Sequence, residues 1–509
     1  MKRRAAVVIS VAAALLLGGL VGKLWAQRSQ NLAQGLQLFS RVVGLVLSTY
    51  VEDVDPGKLI KHGIEGMLES LDPYTNFLDT SDFDELKVRT EARFGGIGIH
   101  IGMVDERLTV ISPIEGTPAE RAGIRGGDRI AEIEDKPTDG FTTNDAVKLL
   151  RGEPGTKVNI GVDRPGVSEL IPFELTRAII NIKAVPYAGM LEDDIGFVRL
   201  ADFSRVASSE LGGALDSLFG CGAKKIVFDL RSNGGGLLRE GREVSDLFLP
   251  EGRVLVRTEG RVPDSRQEFV AETADPHGDF PMVVLVDRGS ASAAEIVAGA
   301  IQDWERGLVL GDTTFGKGSV QTIHQLGPVT AVKITTAYWY TPSGRCINRK
   351  RDGNGELVEQ DSTDAVPTYK TLGPLGRTVY GGGAIVPDVY LGYEQMTELE
   401  ALVNRSAFFD FAVEYNNTHP GLTVEFTAGP RVLDQFRRYL RDIEELEFED
   451  AEFDSSAEFF AGQIEREVAG KIAGQRGEYQ ARMRRDPHVQ RAIELLRPVQ
   501  TSRGLLERL

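Results

Sequence analysis

The chain has 509 residues, enough for two to four packed units, and its 41% hydrophobic and 26% charged residues are typical of a globular protein. Its net charge of −17 opposes non-specific binding to polyanions, so no nucleic-acid partner is expected. Two cysteines exclude a disulfide framework, and six scattered histidines without CxxC or HExxH spacing leave no recognisable zinc site, so we expect neither metal nor cofactor.

The N-terminus has the organisation of an export signal. Three cations, Lys2 to Arg4, precede a charge-free and mostly apolar run from Ala5 to Val21. Ala26 offers the only reasonable cleavage position, but the run is also long enough to span a bilayer as an uncleaved anchor. Residues 1–26 are therefore predicted to be a signal peptide or a signal anchor, and the rest of the chain is expected in the periplasm or tethered to the inner membrane.

Two regions of different character follow the export signal. Residues 30–92 carry apolar side chains at helical spacing, which predicts a helical N-terminal region. Residues 93–178 are rich in short strands, with one helical segment from Asn144 to Leu150 inserted between them. This second region is expected to form a small β-rich module.

Strand and helix patterns then alternate through residues 179–393, which predicts an α/β core. Residues 394–509 are helical and acidic, with seven acidic side chains crowded between Glu444 and Asp454. We expect that acidic cluster to be a solvated face or loop, with a partner site as the alternative.

The most informative stretch runs from Val284 to Gln321. A buried apolar strand leads into a turn of small residues and then into an amphipathic helix, and Ser292 stands at the helix start. Its hydroxyl could simply cap the helix, or it could be exposed to a substrate carbonyl at a strand-to-helix elbow. In the second case the Ala293 N–H, at the helix N-terminus, is well placed to stabilise an oxyanion.

Lys317 lies between two glycines further along this stretch. Glycines permit the close backbone approach and unusual torsions needed to hold a lysine amine at another side chain's hydroxyl. A general base must be neutral, and Val309, Phe315 and Val320 could supply the apolar pocket that favours the neutral amine. Serine with lysine is a known variant of nucleophile-plus-base catalysis in which no histidine is required.

The two motifs resemble the signature of the carboxyl-terminal processing peptidases, a serine in GSASAxEI and a lysine in TFGKGxVQ, twenty-five residues apart. The resemblance implies that Ser292 is the nucleophile and Lys317 the general base. It also implies that Gln321 orients the lysine amine. Ser290 matches the first serine of the motif, which is not the nucleophile in that family.

A second match, DLRSNGGGLL from Asp229 to Leu238, resembles the DLRxNxGG motif of the same family. It implies that Gly235 provides a second oxyanion amide opposite Ala293. The alternative is an ordinary loop between strand and helix with flexible glycines.

The segments FGGIG and AGIRGGDRI, within the β-rich module, look like parts of a PDZ domain. In such domains a glycine-rich loop binds the C-terminal carboxylate of a peptide, which adds to the sheet as a strand. The resemblance implies that Gly96, Ile97 and Gly98 form this loop. The resemblance to the peptidase family as a whole covers roughly Leu36 to Leu391, and the chain after Tyr393 matches nothing known to us.

The resemblance implies an α+β multidomain fold: a helical N-terminal region, a PDZ domain, a crotonase-like α/β (ββα) protease core and a helical C-terminal extension. It implies a serine endopeptidase of the cell envelope that captures C-terminal ends of polypeptides through its PDZ domain and cleaves through an acyl-enzyme. The expected partners are polypeptides with free C-termini, an adaptor or activator protein, and other copies of the chain in a homo-oligomer.

Three alternatives stay open. A catalytically silent PDZ scaffold would have kept the fold and lost the chemistry, but the serine, lysine and glutamine set is intact. A crotonase-like acyl-CoA enzyme would share the oxyanion arrangement, but an export signal does not suit cytoplasmic CoA chemistry. Pairing of Ser292 with His324 is the third, and replacement of His324 would distinguish it.

Overall fold

The computed structural model describes residues 31–165, 167–273, 277–349, 356, 366–393, 395–403 and 405–508. The predicted signal peptide or anchor, residues 1–26, lies outside this described part of the chain. The chain divides into two compact units. The smaller unit contains the N-terminal residues to Leu78 with Ile323–Ile334, and the larger contains most of the remainder.

The smaller unit begins with two helices and a short strand: α1 (Asn31–Thr49), α2 (Pro56–Glu69) and β1 (Asn76–Leu78). Helix α1 is 19 residues long and apolar enough to cross a membrane by length and composition. Helix α2 starts at a proline, and the Asp55 carboxylate caps it by accepting a hydrogen bond from Lys58 N at 2.9 Å. Asn76–Leu78 pairs antiparallel with residues 331–333. The helical N-terminal region is thus confirmed.

The β-rich module follows helix α3 (Thr80–Glu91). Its main sheet is antiparallel in the order β3-β4-β5-β7-β8, with β6 beside β5, and β2 pairs separately with β9. The strands are β2 (Arg93–Gly96), β3 (Ile99–Val104), β4 (Arg107–Pro113), β5 (Arg129–Ile133), β6 (Lys136–Pro137), β7 (Lys157–Asp163), β8 (Ile171–Thr176) and β9 (Ala178–Asn181). Two helices are inserted, α4 (Pro118–Arg121) and α5 (Thr143–Leu150), and α5 corresponds to the predicted helical segment.

The core is a six-stranded sheet in the order β10-β11-β12-β15-β16-β21, with β10 antiparallel and the others parallel. Its strands are β10 (Tyr187–Glu192), β11 (Ile195–Arg199), β12 (Lys225–Asp229), β15 (Met282–Val286), β16 (Leu308–Gly311) and β21 (Val389–Tyr390). Every residue of β12 and β15 is buried, as expected for parallel strands covered on both faces. Helices α6 (Ala207–Gly220), α7 (Leu238–Asp246) and α8 (Ala293–Asp303) pack on one face.

Further strands flank this sheet. They are β13 (Val254–Gly260), β14 (Gln267–Val270), β17 (Ser319–Gln325), β18 (Ala331–Tyr340), β19 (Thr368–Lys370) and β20 (Thr378–Tyr380). Strand β13 pairs with β14 and with residues 337–340 of β18, and β19 pairs with β20. Pro263–Ser265 forms a short 3₁₀ turn between β13 and β14.

The C-terminal region is helical, as the sequence predicts: α9 (Glu398–Leu402), α10 (Arg405–Thr418), α11 (Pro430–Asp442), α12 (Asp450–Ser455), α13 (Ala457–Arg485), α14 (Pro487–Leu496) and α15 (Ser502–Leu506). Helices α9 to α13 share an aromatic core that includes Phe408, Phe436 and Phe460. The last two helices instead cover the second face of the core sheet: Val489, Ile493, Leu496, Leu505 and Leu506 pack with Phe197, Val227, Val283, Leu285 and Leu310. The chain beyond residue 394 therefore supplies one layer of the core.

Candidate active site

Ser292 lies in the turn between strand β15 and helix α8 and is the residue just before the helix. Its backbone adopts φ +56° and ψ −114°, a conformation that side-chain-bearing residues rarely adopt. The Ser292 N–H donates a hydrogen bond to Glu295 Oε2 at 2.8 Å. The predicted strand-to-helix elbow is present, and a hydrogen bond to the carboxylate one turn into the helix helps to hold it.

Glu295 is fully buried and binds the serine segment and the lysine segment together. Its Oε2 accepts from Ser292 N at 2.8 Å and from Lys317 N at 2.9 Å. Its Oε1 accepts from Thr314 Oγ1 at 2.6 Å and from Gly316 N at 2.7 Å. Burial raises the pKa of Glu295, while these four hydrogen bonds act in the opposite direction. Four donors on two oxygens suit a carboxylate, which is acceptor-only when ionised.

Lys317 is half-buried, in a loop that several backbone contacts hold against the rest of the site. Phe315 N donates to Ser290 O at 3.0 Å, which joins the loop directly to the serine turn. Trp339 Nε1 donates to Lys317 O at 3.1 Å. Gly316 has φ +86°, and a Cβ there would lie 2.7 Å from Arg349 Cγ, so this position requires glycine.

Gln321 lies on β17, and its Nε2 donates to Ser319 Oγ at 2.9 Å and to Thr335 Oγ1 at 3.4 Å. The predicted contact that orients the lysine amine stays a prediction. Ser290 has a fully buried hydroxyl that donates to Leu230 O at 2.8 Å and accepts from Asp287 N at 3.0 Å. Ser290 is thus a structural part of the turn.

Gly235 lies directly against the serine turn. A Cβ at this position would be 2.8 Å from both Ser292 Cβ and Ala293 N and 2.6 Å from Ala291 O, and φ is +85°. The structure therefore brings together the two predicted oxyanion residues, Gly235 and Ala293. The Gly235 N–H donates to Asn233 Oδ1 at 2.9 Å, so in this conformation the amide already has an acceptor.

The predicted PDZ loop connects β2 to the edge strand β3. Its carbonyl groups are used internally: Ile97 O accepts from Ala119 N at 3.0 Å, and Gly98 O accepts from Ile114 N and Thr117 Oγ1, both at 3.0 Å. Ile97 is buried in the core of the module. Gly96 thus ends strand β2, and Ile97 and Gly98 form a tightly held turn that leads into the edge strand β3.

The described residues offer few other candidates for a disulfide, a metal site or a catalytic histidine. Cys221 and Cys346 are both free thiols. Across the described ranges, no group of three or more histidine, cysteine, aspartate or glutamate side chains could hold a metal ion. His324 is exposed on β17.

Sequence reasoning missed the role of Glu295 as the shared acceptor. A glutamate three residues after a helix-capping serine is the signal of a capping box, which predicts its hydrogen bond to Ser292 N. Nothing in that pattern shows that the same carboxylate also binds Thr314, Gly316 and Lys317, because those residues become neighbours only in the fold.

Three parts of the chain match described families. Residues 194–357 match Peptidase family S41, residues 109–164 match the PDZ domain, and residues 22–82 match the Activating protease CtpB N-terminal domain. These matches agree with the core, the β-rich module and the helical N-terminal region of the structure.

Curated relatives give the same result. The chain is 40% identical over 349 residues to the carboxy-terminal-processing protease of Bartonella bacilliformis, covering 68% of this chain and 80% of the relative. It is 36% identical over 341 residues to carboxy-terminal processing protease CtpA of Bacillus subtilis, covering 66% and 72%. The solved photosystem II D1 C-terminal processing protease is 29% identical, with a TM-score of 0.37 and coverage of 70% and 92%. The chain belongs to the carboxy-terminal processing proteases of peptidase family S41 and is a serine-type peptidase with a PDZ domain.

Proposed function

We propose that the protein cleaves polypeptides by a Ser-Lys acyl-enzyme mechanism, with Ser292 as nucleophile and Lys317 as general base. The observation that carries the proposal is the single oxygen of Glu295 that binds both Ser292 N and Lys317 N. Because one oxygen accepts from both amides, the backbones of Ser292 and Lys317 lie close together in space. The Phe315–Ser290 hydrogen bond supports the same arrangement.

In the proposed reaction, the neutral amine of Lys317 accepts the hydroxyl proton as Ser292 Oγ attacks the substrate carbonyl. The Ala293 N–H, at the N-terminus of α8, stabilises the oxyanion that forms. Collapse of this intermediate, with the proton passing from the Lys317 ammonium to the leaving amine, releases the first product and leaves an acyl-serine. Water then hydrolyses the acyl-serine, with the neutral Lys317 amine again acting as the base. Gln321 is proposed to orient the lysine amine.

The Gly235 N–H is proposed as the second oxyanion donor. Its position against Ser292 and Ala293 supports this role, but its present acceptor is Asn233 Oδ1. Asn233 Nδ2 donates to Leu200 O at 2.8 Å. This bond fixes the orientation of the Asn233 side-chain amide, so that its oxygen faces Gly235. Formation of the complete oxyanion hole therefore requires the Gly235 N–H to turn toward the substrate or to be shared with it.

The test of the dyad is degradation of an unfolded protein with a free apolar C-terminus by the soluble chain from Gln27 onward. We expect Ser292→Ala and Lys317→Met to abolish cleavage while the melting temperature is unchanged. Ser209→Ala and Lys224→Met, which alter exposed residues of the same types, are the matched controls and are expected to be fully active. Cleavage that survives both active-site substitutions would rule out the dyad.

The PDZ loop is proposed to bind the C-terminal carboxylate of the substrate, with the peptide pairing along β3. The position of this strand at the edge of its sheet supports the proposal. The Ser292→Ala chain should bind a fluorescent apolar peptide with a free C-terminus more tightly than the same peptide with an amidated C-terminus. Equal affinities would contradict carboxylate recognition.

The protein is further proposed to act in the cell envelope as a homo-oligomer that responds to an adaptor or activator. The charged and apolar pattern of residues 1–26 and the apolar helix α1 support membrane targeting. Fractionation of cells that express the full chain, before and after removal of residues 1–26, tests the location. Light scattering of the soluble chain tests the oligomer.

A further inference from the structure

A buried ionic cluster connects the glycine-rich loop of the site to the C-terminal helices. Arg231 is 2% exposed, and its Nε and Nη2 donate to the two oxygens of Asp229, both at 2.9 Å. Its remaining terminal nitrogen, Nη1, lies 2.8 Å from the carboxylate of Asp486. Asp486 is the residue between α13 and α14 and is itself 7% exposed.

Arg231 is the first residue of the segment that leads to Gly235. The following residues are anchored one by one: Ser232 N donates to Asp287 Oδ1 at 2.7 Å, and Ala291 N donates to Asn233 O at 2.9 Å. The second contact joins this loop to the turn that carries the serine. Arg231 is therefore the anchor at the N-terminal end of the loop, and Asp486 is one of its two carboxylate partners.

The position of Asp486 is set by the core sheet. Its Oδ1 caps helix α14 by accepting from His488 N at 3.0 Å and from Val489 N at 3.2 Å. Helix α14 in turn packs on the core sheet through buried apolar residues that include Val489 and Ile493. The carboxylate is thus held rigidly at the point where it meets Arg231.

Charge balance makes this carboxylate hard to replace. Arg199 Nη1 also donates to Asp229, at 3.1 Å, so the buried part of the cluster contains two guanidinium groups and two carboxylates. A third guanidinium, that of the exposed Arg482, lies 3.8 Å from Asp486 Oδ2 at the edge of the cluster. Burial opposes ionisation of Asp229, but Arg231 and Arg199 outweigh it and lower its pKa to about 2. Loss of the charge on Asp486 would leave an uncompensated positive charge in the interior, and relief of that charge requires Arg231 to move.

We propose that Asp486 is a positioning residue of the peptidase, which acts through Arg231 to hold Gly235 against Ser292. The C-terminal region, whose role the sequence leaves open, would then complete the active site. The inference rests on the proposed function of Ser292 and Gly235. Displacement of the loop by about 1 Å can cost about 100-fold, so a displacement of up to that size is expected to lower kcat about 10- to 100-fold.

Asp486→Asn is the informative variant, because asparagine retains an oxygen that can cap α14 while the charge is lost. We expect kcat to fall about 10- to 100-fold with KM within about threefold, and labelling of the serine by a small fluorophosphonate to slow in parallel. The matched control is Glu465→Gln. Glu465 is a buried acid of α13 that accepts from Arg485 Nε and Nη2, both at 3.0 Å, within the C-terminal helices, and its replacement should leave kcat unchanged.

Three further measurements separate the outcomes. Val489→Ala weakens the packing of α14 without removing the carboxylate, so an equal fall in kcat for this variant and Asp486→Asn would overturn the positioning role. Asp486→Glu keeps the charge but moves it; kcat should fall about three- to tenfold, and an unchanged kcat contradicts the inference even if the asparagine variant fails to fold. Activity that persists in Ser292→Ala would instead refute the proposed function itself.

Discussion

Replacement of Glu295 by glutamine should disable the site while leaving the fold largely intact. Both oxygens of Glu295 are acceptors for two donors each, on the serine turn and on the lysine loop. Glutamine has one acceptor oxygen and one NH₂ donor. If the oxygen stays with Thr314 Oγ1 and Gly316 N, the NH₂ group faces the N–H groups of Ser292 and Lys317, and the two segments must separate.

The magnitude follows from the donors that lose their acceptor. Each buried donor left without a partner costs about 1–3 kcal/mol, so two would cost about 2–6 kcal/mol in a rigid site. Movement of the lysine loop relieves much of this. Burial raises the pKa of Glu295, so removal of its charge also returns some desolvation free energy. We expect a loss of about 1–3 kcal/mol in the free energy of unfolding, but a fall of about 100- to 1,000-fold in kcat/KM.

The assay compares kcat/KM on a quenched fluorescent peptide with denaturant unfolding of the same preparations. Glu305→Gln is the matched control. Glu305 is another buried carboxylate; it accepts from Thr371 Oγ1 at 2.5 Å and from Leu375 N at 2.7 Å. It lies just beyond the C-terminal end of α8, about 15 Å along the helix axis from Glu295. Its replacement should cost similar stability and little activity.

Two results would refute the reasoning. Activity of Glu295→Gln within about threefold of the original chain would mean that the shared acceptor does not hold the dyad together. Equal activity losses in the Glu295 and Glu305 variants would mean that general destabilisation explains the effect.

Two further predictions concern the loop beside the serine and the contact between the PDZ domain and α10. Gly235→Ala should abolish cleavage, because its Cβ would lie 2.6–2.8 Å from three atoms of the serine turn, whereas Gly234→Ala, with nothing within 4 Å, should stay active in the same peptide assay. Asp410 has a pKa raised to about 6 by burial and by its hydrogen-bonded neighbour Asp105, so the folded state binds a proton that the unfolded chain has released. This stabilisation is complete below about pH 4 and is lost as the pH rises through 6. The melting temperature of the original chain should therefore fall over this pH range. The Asp410→Asn variant should lack this fall, and the control Glu414→Gln should retain it.

The sequence predicted the domains that local patterns encode. Alternating and helical periodicities identified the PDZ strands, helix α5 and the strand-helix alternation of the core, because those patterns reflect which face of each element is buried. The same periodicity in α14 shows that it has an apolar face, but not which surface that face covers. Its packing on Val283 and Leu285 is a contact between segments some 200 residues apart, which no local pattern contains.

The candidate site also combines features that local sequence predicts with contacts that only the complete fold creates. The elbow at Ser292 and the glycine at Gly235 were predictable because strained turns and close approaches require particular residue types. The convergence of four donors on Glu295 depends on the return of the chain at β16, and the pairing of Arg231 with Asp486 depends on the last helices. Such long-range polar contacts are specified by the whole fold.

The cover of the core sheet by α14 and α15 has a consequence for the timing of activity during synthesis. The strands of the core leave the ribosome before residues 487–506, and until those helices arrive one apolar face of the sheet has no cover. The partner of Arg231 at residue 486 is also absent until then. Under the proposed role of Asp486, a nascent chain lacks the anchor of the Gly235 loop, so peptidase activity is expected only once synthesis is nearly finished.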